Sequence, residues 1–377
     1  MTERAFAVTA NSTAAAVATD HGIEVVSRKE ILRRAGLGAS GAVLAAAVPG
    51  VPGLTRAIAG PAYVPSRPHL ILAYGGGTCE AASFAGYEKG FFAADGLDVE
   101  LLKMTPGLSG AEAIASGKYD AAGGIIFTWL KPIEQGADIK VTAGIHGGCT
   151  SLIVANRVKS QIKKPSDFKG KTIAVTAIGD TGMAFFGLLL SLHGVDINKD
   201  ITWKVYLPTL IEAAFDKGEV DAAAIGDPFA YLLIKHGKGV AVGTNLLGLF
   251  GDTTGMTPHK YCCTSGLSGK LIRDQPKVAA ALTRGWINAA RWVRTHLDEI
   301  AAIEVDKNYV PIDVASAGAL LHSYVFNPSA IWVKEDIYAA ARAFKTAGIL
   351  DLHTDPDKLA AWTYADVFAL AGEKAPF

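Results

Sequence analysis

An internal repeat constrains this chain more than any other feature of its sequence. Residues 112–122, Glu-Ala-Ile-Ala-Ser-Gly-Lys-Tyr-Asp-Ala-Ala, align without a gap on residues 213–223, Ala-Ala-Phe-Asp-Lys-Gly-Glu-Val-Asp-Ala-Ala, at a constant offset of 101. Gly117 meets Gly218, Asp120 meets Asp221, and the two Ala-Ala pairs coincide; further on, Gly136 meets Gly237 and Val141 meets Val242. Each copy reads as a helix, a glycine stop, a short strand of small residues, a second helix and a further strand. A period of this length is too long for a solenoid, whose units run roughly 20–50 residues. It predicts two similar α/β lobes with a cleft between them.

The surrounding patterns agree with that prediction. His69–Tyr74 is a buried-strand run, followed by Gly75-Gly76-Gly77 and a helical stretch to about Phe92; Leu97–Leu102 alternates as a strand, and Ser109 caps a short helix to Ser116. The second half repeats the scheme with Lys171–Thr176, a helix over Thr181–Leu192 and the strand Ile201–Tyr206. Strands alternating with helices predict parallel α/β layers. Cys149–Asn156 and Tyr261–Leu267 flank the second unit and are natural crossing segments, because the chain must leave one lobe and return. Beyond residue 267, Val278, Leu282, Trp286, Ala289 and Val293 share one face of a helix over 276–296, and further helices are expected over 334–346 and 356–371.

Composition excludes some functions. The 36 Lys and Arg balance the 36 Asp and Glu, charged residues make up 19% and apolar residues 50% of the 377. A general nucleic-acid binder would show a basic excess, and a disordered chain would be less apolar. Residues 1–59 read as an export leader: a charged segment at 27–34, a mildly apolar stretch at 35–48, then Pro49, Pro52 and Ala57-Ile58-Ala59 with cleavage before Gly60. It resembles a twin-arginine signal, with Lys29 in place of the second Arg and Ile31 in place of the Phe. No lipobox cysteine follows, so a soluble exported protein is expected. That leader carries six Lys/Arg and four Asp/Glu, which leaves a slightly acidic remainder with 30 and 32. The four cysteines, Cys79, Cys149, Cys262 and Cys263, form no CxxC and no zinc-type spacing. They read as buried small hydrophobes, with Cys149 bridged to Cys262 or Cys263 as the alternative.

Four stretches together carry a family resemblance: Gly86–Glu100 with its Gly-Phe-Phe and Gly-Leu-x-Val, the repeated Gly-x-x-Asp-Ala-Ala, Asp167–Val175, and Gly226-Asp227-Pro228-Phe229. Over about residues 68–300 the chain resembles periplasmic substrate-binding proteins of ABC importers in the nitrate, taurine and alkanesulfonate group, which includes pyrimidine-precursor binders of thiamine metabolism. The resemblance implies a two-lobed periplasmic-binding-protein fold of type II, with two crossing strands and a ligand clamped in the cleft by hinge closure. Lobe one would combine 60–150 with 256–377, and lobe two would be 151–255. The function implied is capture of a small polar or anionic organic molecule or oxyanion (sulfonate-, nitrate- or carboxylate-like) and its delivery to a permease and ATPase, with no bond broken. Contact with the inner membrane would run through the permease alone, and no nucleic acid, metal or cofactor is expected.

Candidate ligand contacts follow from the rule that open α/β sheets bind outside the carboxyl ends of their strands, where helix N-termini present free N–H groups. The rule selects the loops holding Gly77, Thr78 and Cys79; Phe127, Thr128 and Trp129; His146 and Gly147; Asp180, Thr181, Gly182 and Met183; and Asp227 and Phe229. Amides of the 179–183 and 76–78 loops would hold a polar or anionic group, and Thr181 and Gly182 also match the family's contact loop. Asp180 reads equally as an ordinary N-cap, and Asp227 as the N-cap before Pro228 at N1. Phe127 and Trp129 are expected at a loop mouth, as an apolar wall, a stacking surface or core. His146 reads as structural or as a cleft residue. The rival function is a thiamine-pyrimidine synthase on the same fold, which Cys262-Cys263 faintly echoes before Thr264-Ser265-Gly266 breaks the run; a second rival is a metal-binding receptor using His146 and the thiols.

Overall fold

The computed structural model describes residues 14–19, 22–27, 67–105 and 108–376. The leader expected over 1–59 lies outside the described residues, apart from two strands, β1 (Ala14–Thr19) and β2 (Gly22–Ser27), which pair antiparallel. Among the described residues no helix is long and apolar enough to cross a membrane.

From residue 67 onward the strands form two six-stranded sheets. One holds β3 (His69–Tyr74), β4 (Asp98–Lys103), β5 (Ala121–Gly124), β6 (Ile139–Gly147), and, far along the chain, β13 (Cys263–Ser268) and β14 (Val325–Ser329), in the order β14-β6-β13-β5-β3-β4. The other holds β7 (Thr150–Ala155), β8 (Lys171–Val175), β9 (Ile201–Val205), β10 (Ala222–Gly226), β11 (Gly239–Thr244) and β12 (Gly248–Leu249), in the order β12-β11-β7-β10-β8-β9.

The sheets are built alike. In each, three strands run parallel, β4-β3-β5 and β9-β8-β10. Beside them stands one antiparallel strand, β13 between β5 and β6, and β7 between β10 and β11. The sequence pattern predicts parallel layers; β7 and β13 run antiparallel because each enters its sheet from the other lobe, and β12 and β14 add a second antiparallel strand at the edge of each sheet. Chain crossings therefore lie at 148–149 and 250–262, just ahead of these strands.

The repeat has a physical cause. Asp120 Oδ2 accepts from the Ile71 amide of β3 at 2.8 Å, and Asp221 Oδ2 accepts from the Thr172 amide of β8 at 2.9 Å. The same aspartates donate their own amides to the Ile71 and Thr172 carbonyls. Each closes the edge where a helix returns to its sheet. Gly117 and Gly218 end the preceding helices at φ 73° and 70°, which a side chain disfavours. Small residues then let helices sit close. A Cβ on Gly182 would overlap the Ala224 carbonyl of β10.

The expected helices are present. Thr181–Leu192 forms as read, Pro276–Val293 buries the face carrying Leu282, Trp286, Ala289 and Val293, and Trp332–Thr346 follows. The single helix expected over 356–371 is two, Pro356–Thr363 and Val367–Ala371. Asp366 caps the second one through the Ala369 amide.

Candidate functional site

The cleft lies where the carboxyl ends of the parallel strands of both sheets face one another. It contains two adjoining cavities of about 810 Å³ and about 270 Å³ that share Gly75, Ser109, Thr128, Asp180 and Phe229. The larger one is walled by apolar side chains from both lobes: Met104, Leu108 and Phe127 from the first, Met183, Leu207 and Phe229 from the second. The smaller one carries Glu80, Thr181, Asp227 and all four cysteines on its walls.

Acidic side chains already occupy the amide cradles at both ends of this cleft. Glu80 accepts from the amides of Gly75, Gly76 and Gly77 at 2.8–3.0 Å. Burial pushes its carboxyl up to about 7, against the pull of those three amides. Asp180 accepts from Thr176 at 2.6 Å, Ala177 at 3.2 Å and Met183 at 2.8 Å. It is the N-cap of the helix Thr181–Leu192. The expectation that these loops offer free amides to an anion is thereby corrected at Gly77 and Met183, whose N–H groups are bound within the chain.

Asp227 lies at the foot of the cleft. Its Oδ2 accepts from the Tyr324 hydroxyl at 3.1 Å and its Oδ1 from the Tyr231 amide at 3.3 Å. Burial raises its carboxyl to about 7. Pro228, not Asp227, is the N-cap residue of the helix Phe229–Lys235, and the Asp227-Pro228 peptide is cis.

The expected residues divide between the two cavities and the surrounding structure. Gly77, Cys79, Thr128, Thr181, Gly182 and Asp227 line the smaller cavity. Phe127 and Met183 line the larger one. Thr78, Trp129, His146 and Gly147 line neither. Phe127 and Trp129 are not on a loop mouth, since both belong to the helix Ile126–Glu134. Trp129 is fully buried, its Nε1 donates to Thr264 Oγ1 at 2.9 Å, and its ring fills a slot left by Gly110, Gly124 and Gly266. Three glycines around one indole make it a core residue. Gly147 packs against the Lys260 carbonyl, and Thr78 is wholly buried with its hydroxyl unpartnered.

Sequence reasoning missed Lys103. It ends β4 at the rim of the larger cavity and makes no ion pair among the described residues. The strand-end rule that selected the other loops applies to β4 as well, and would have found it.

The cysteines converge. Cys149 and Cys262, on the two crossing segments, form a disulfide with Cα atoms 6.5 Å apart. Cys79 and Cys263 are free and half-buried. His146 is buried beneath them, its Nε2 2.7 Å from the Cys79 carbonyl oxygen and its ring stacked on Tyr324. A hydrogen bond from Cys79 and the adjacent His146 hold the Cys263 thiol well below its usual range, against burial, while Cys79 is pushed up. Spacing along the chain showed no metal pattern because Cys79, Cys149 and the Cys262-Cys263 pair come from three distant stretches.

Comparison with known proteins places this architecture. The taurine-binding periplasmic protein of Escherichia coli (strain K12) is 29% identical over 184 residues, 47% of this chain and 54% of that protein, so the match spans about half the length of the curated relative. The alkanesulfonate-binding protein of Xanthomonas axonopodis pv. citri, solved with MOPS, superposes with a TM-score of 0.61 at 19% identity, over 77% of this chain and 97% of its own. The periplasmic nitrate-binding protein of Synechocystis PCC 6803 gives 0.65 at 16%, over 81% and 87%. These likenesses show the two-lobed periplasmic-binding-protein fold. The model of the NMT1-like family matches residues 64–305, well over half of the sequence, and the chain belongs to that family.

Proposed function

We propose that this chain is the solute receptor of an ABC importer and that it captures a small organic molecule with an apolar body and a polar or anionic head in the interlobe cleft. The observation that carries the reading is the larger cavity. A space of about 810 Å³ walled by Met104, Leu108, Phe127, Met183, Leu207 and Phe229 suits a carbon skeleton and is far too large and apolar for nitrate or bicarbonate alone. Because Glu80 and Asp180 fill the amide cradles, the head is left to Lys103 at the rim and to Thr181 and Gly182 at the start of their helix. Relatives that bind taurine and alkanesulfonates support an organic sulfonate as the type of solute.

Membership of the family and the leader-like pattern read over residues 1–59 support an exported, periplasmic receptor whose partners are a permease and its ATPase. A pyrimidine-synthase reading rested on the Cys262-Cys263 pair. Cys262 is bound to Cys149, which favours the receptor.

A thermal-shift screen against sulfonates, aromatic carboxylates, aminopyrimidines, nitrate and bicarbonate tests the proposal, because a ligand that binds only the folded chain raises its melting temperature. Organic sulfonates or carboxylates should raise it, and nitrate and bicarbonate should not. Turnover of a pyrimidine precursor, with no sulfonate or carboxylate bound, would end the receptor reading.

A further inference from the structure

The thiol cluster at the cleft floor has a use that solute capture does not supply. Cys79 lies in the turn Thr78–Glu80 after β3, His146 near the end of β6, Cys149 in the first crossing, and Cys263 opens β13, where it is in register with His146. One donor atom from each of these four residues lies within 4.8 Å of the others, and Cys149 Sγ is 3.9 Å from Cys263 Sγ. A tetrahedral ion with bonds of roughly 2.0–2.3 Å keeps its ligands about 3.3–3.8 Å apart, so small side-chain shifts bring such a set onto a metal. Among the described residues this is the one group of Cys, His, Asp or Glu with that compactness.

Donor chemistry narrows the ion. Thiolates and an imidazole favour Zn²⁺ and similar soft ions over Mg²⁺ or Ca²⁺, which take oxygen. The Cys79 carbonyl and the Tyr324 ring fix the orientation of His146, as neighbours of metal-bound histidines do. Cys79 and Cys263 also face the smaller cavity, which gives an ion a route in.

We propose that Cys79, His146 and Cys263 form a binding site for a thiophilic metal ion, Zn²⁺ being the type, and that Cys149 joins them as fourth ligand when its disulfide with Cys262 is reduced. Reduction by a dithiol breaks the Cys149–Cys262 bond and delivers two electrons and two protons, leaving two thiols, while the dithiol becomes a disulfide. The Cys149 thiol then gives its proton to solvent as it binds the ion. The site stands whether or not the solute is a sulfonate.

Cobalt(II) titration of the full chain tests this, since thiolate ligation produces a near-ultraviolet charge-transfer band whose intensity counts the thiolates. The chain is titrated as isolated and after a phosphine has reduced the disulfide, the phosphine taking up the oxygen of a water. Two thiolates are expected in the first state and three in the second, with Zn²⁺ displacing cobalt in both. Cys263→Ser and Cys79→Ser should each weaken Zn²⁺ binding by more than the roughly 10–100-fold that a supporting residue is worth. No charge-transfer band, equal bands in the two states, or unchanged Zn²⁺ affinity in the serine variants would overturn it. The spectra are read on the unaltered chain, so a variant that fails to fold does not decide the outcome.

Discussion

Cys149 and Cys262 join the two segments that link the sheets, 113 residues apart in sequence, so that both crossings are fastened at one point. A bond closing so long a loop restricts the unfolded chain strongly. Replacing both residues by serine should lower stability by about 2–5 kcal/mol, read as a fall in the urea midpoint. An unchanged midpoint would show that the crossings are held by packing alone.

Gly182 occupies the second position of the helix Thr181–Leu192 where it meets Ala224 of β10. Gly182→Ala normally favours a helix by up to about 1 kcal/mol. Here the added methyl meets a backbone carbonyl, which cannot yield as a flexible side chain does. Overpacking of this kind costs about 1–3 kcal/mol, so thermal melting should show a loss in place of the usual gain.

Asp180→Ala removes the N-cap of that helix together with the anchor for the Thr176 and Ala177 amides. A loss of about 1–2 kcal/mol is expected in chemical denaturation. The freed amides face the cleft, so affinity for an anionic solute should not fall in parallel with stability. Equal losses in both would show that Asp180 itself contacts the solute.

His193 bridges its own helix to a neighbouring loop, with Nδ1 2.7 Å from the Leu189 carbonyl and Nε2 2.9 Å from Asp252 Oδ2. Burial works to lower its pKa, but the Leu189 carbonyl and the Asp252 carboxylate more than offset this and raise it. The pair therefore contributes stability that is fully present below the unfolded histidine value of about 6.5 and is lost as pH rises through the higher folded value. Asp252→Asn should lower the melting temperature at about pH 6 and have a smaller effect at about pH 8.5. An equal effect at both would mean the charge on His193 is not involved.

The repeat made the fold legible because its glycines and aspartates do the same work twice: Asp120 and Asp221 each take an amide of the central strand of their parallel trio, β3 and β8. Helices with strong apolar faces, such as Pro276–Val293, were equally plain. The antiparallel placement of β7 and β13 was not, because strand direction is decided by which lobe the chain arrives from. At the site, the strand-end rule found loops but not the fate of their atoms. Whether Gly77 N–H faces a ligand or Glu80 depends on a rotamer three residues away. For Trp129 the sequence left an apolar wall, a stacking surface and a core role open, because Gly110 and Gly266, which complete its slot, are distant in sequence. Lys103 was overlooked among the surface charges of an alternating strand.

Calorimetric titration of the purified chain with linear alkanesulfonates of increasing length, alongside nitrate, tests the central claim most directly. If the apolar cavity receives the solute's body, affinity rises with each added methylene by up to about 0.8 kcal/mol, about fourfold, until the cavity is filled. Lys103→Gln weakens the whole series and leaves the increment per methylene unchanged. Nitrate bound as tightly as the longest sulfonate, or no binding of any member, would contradict it.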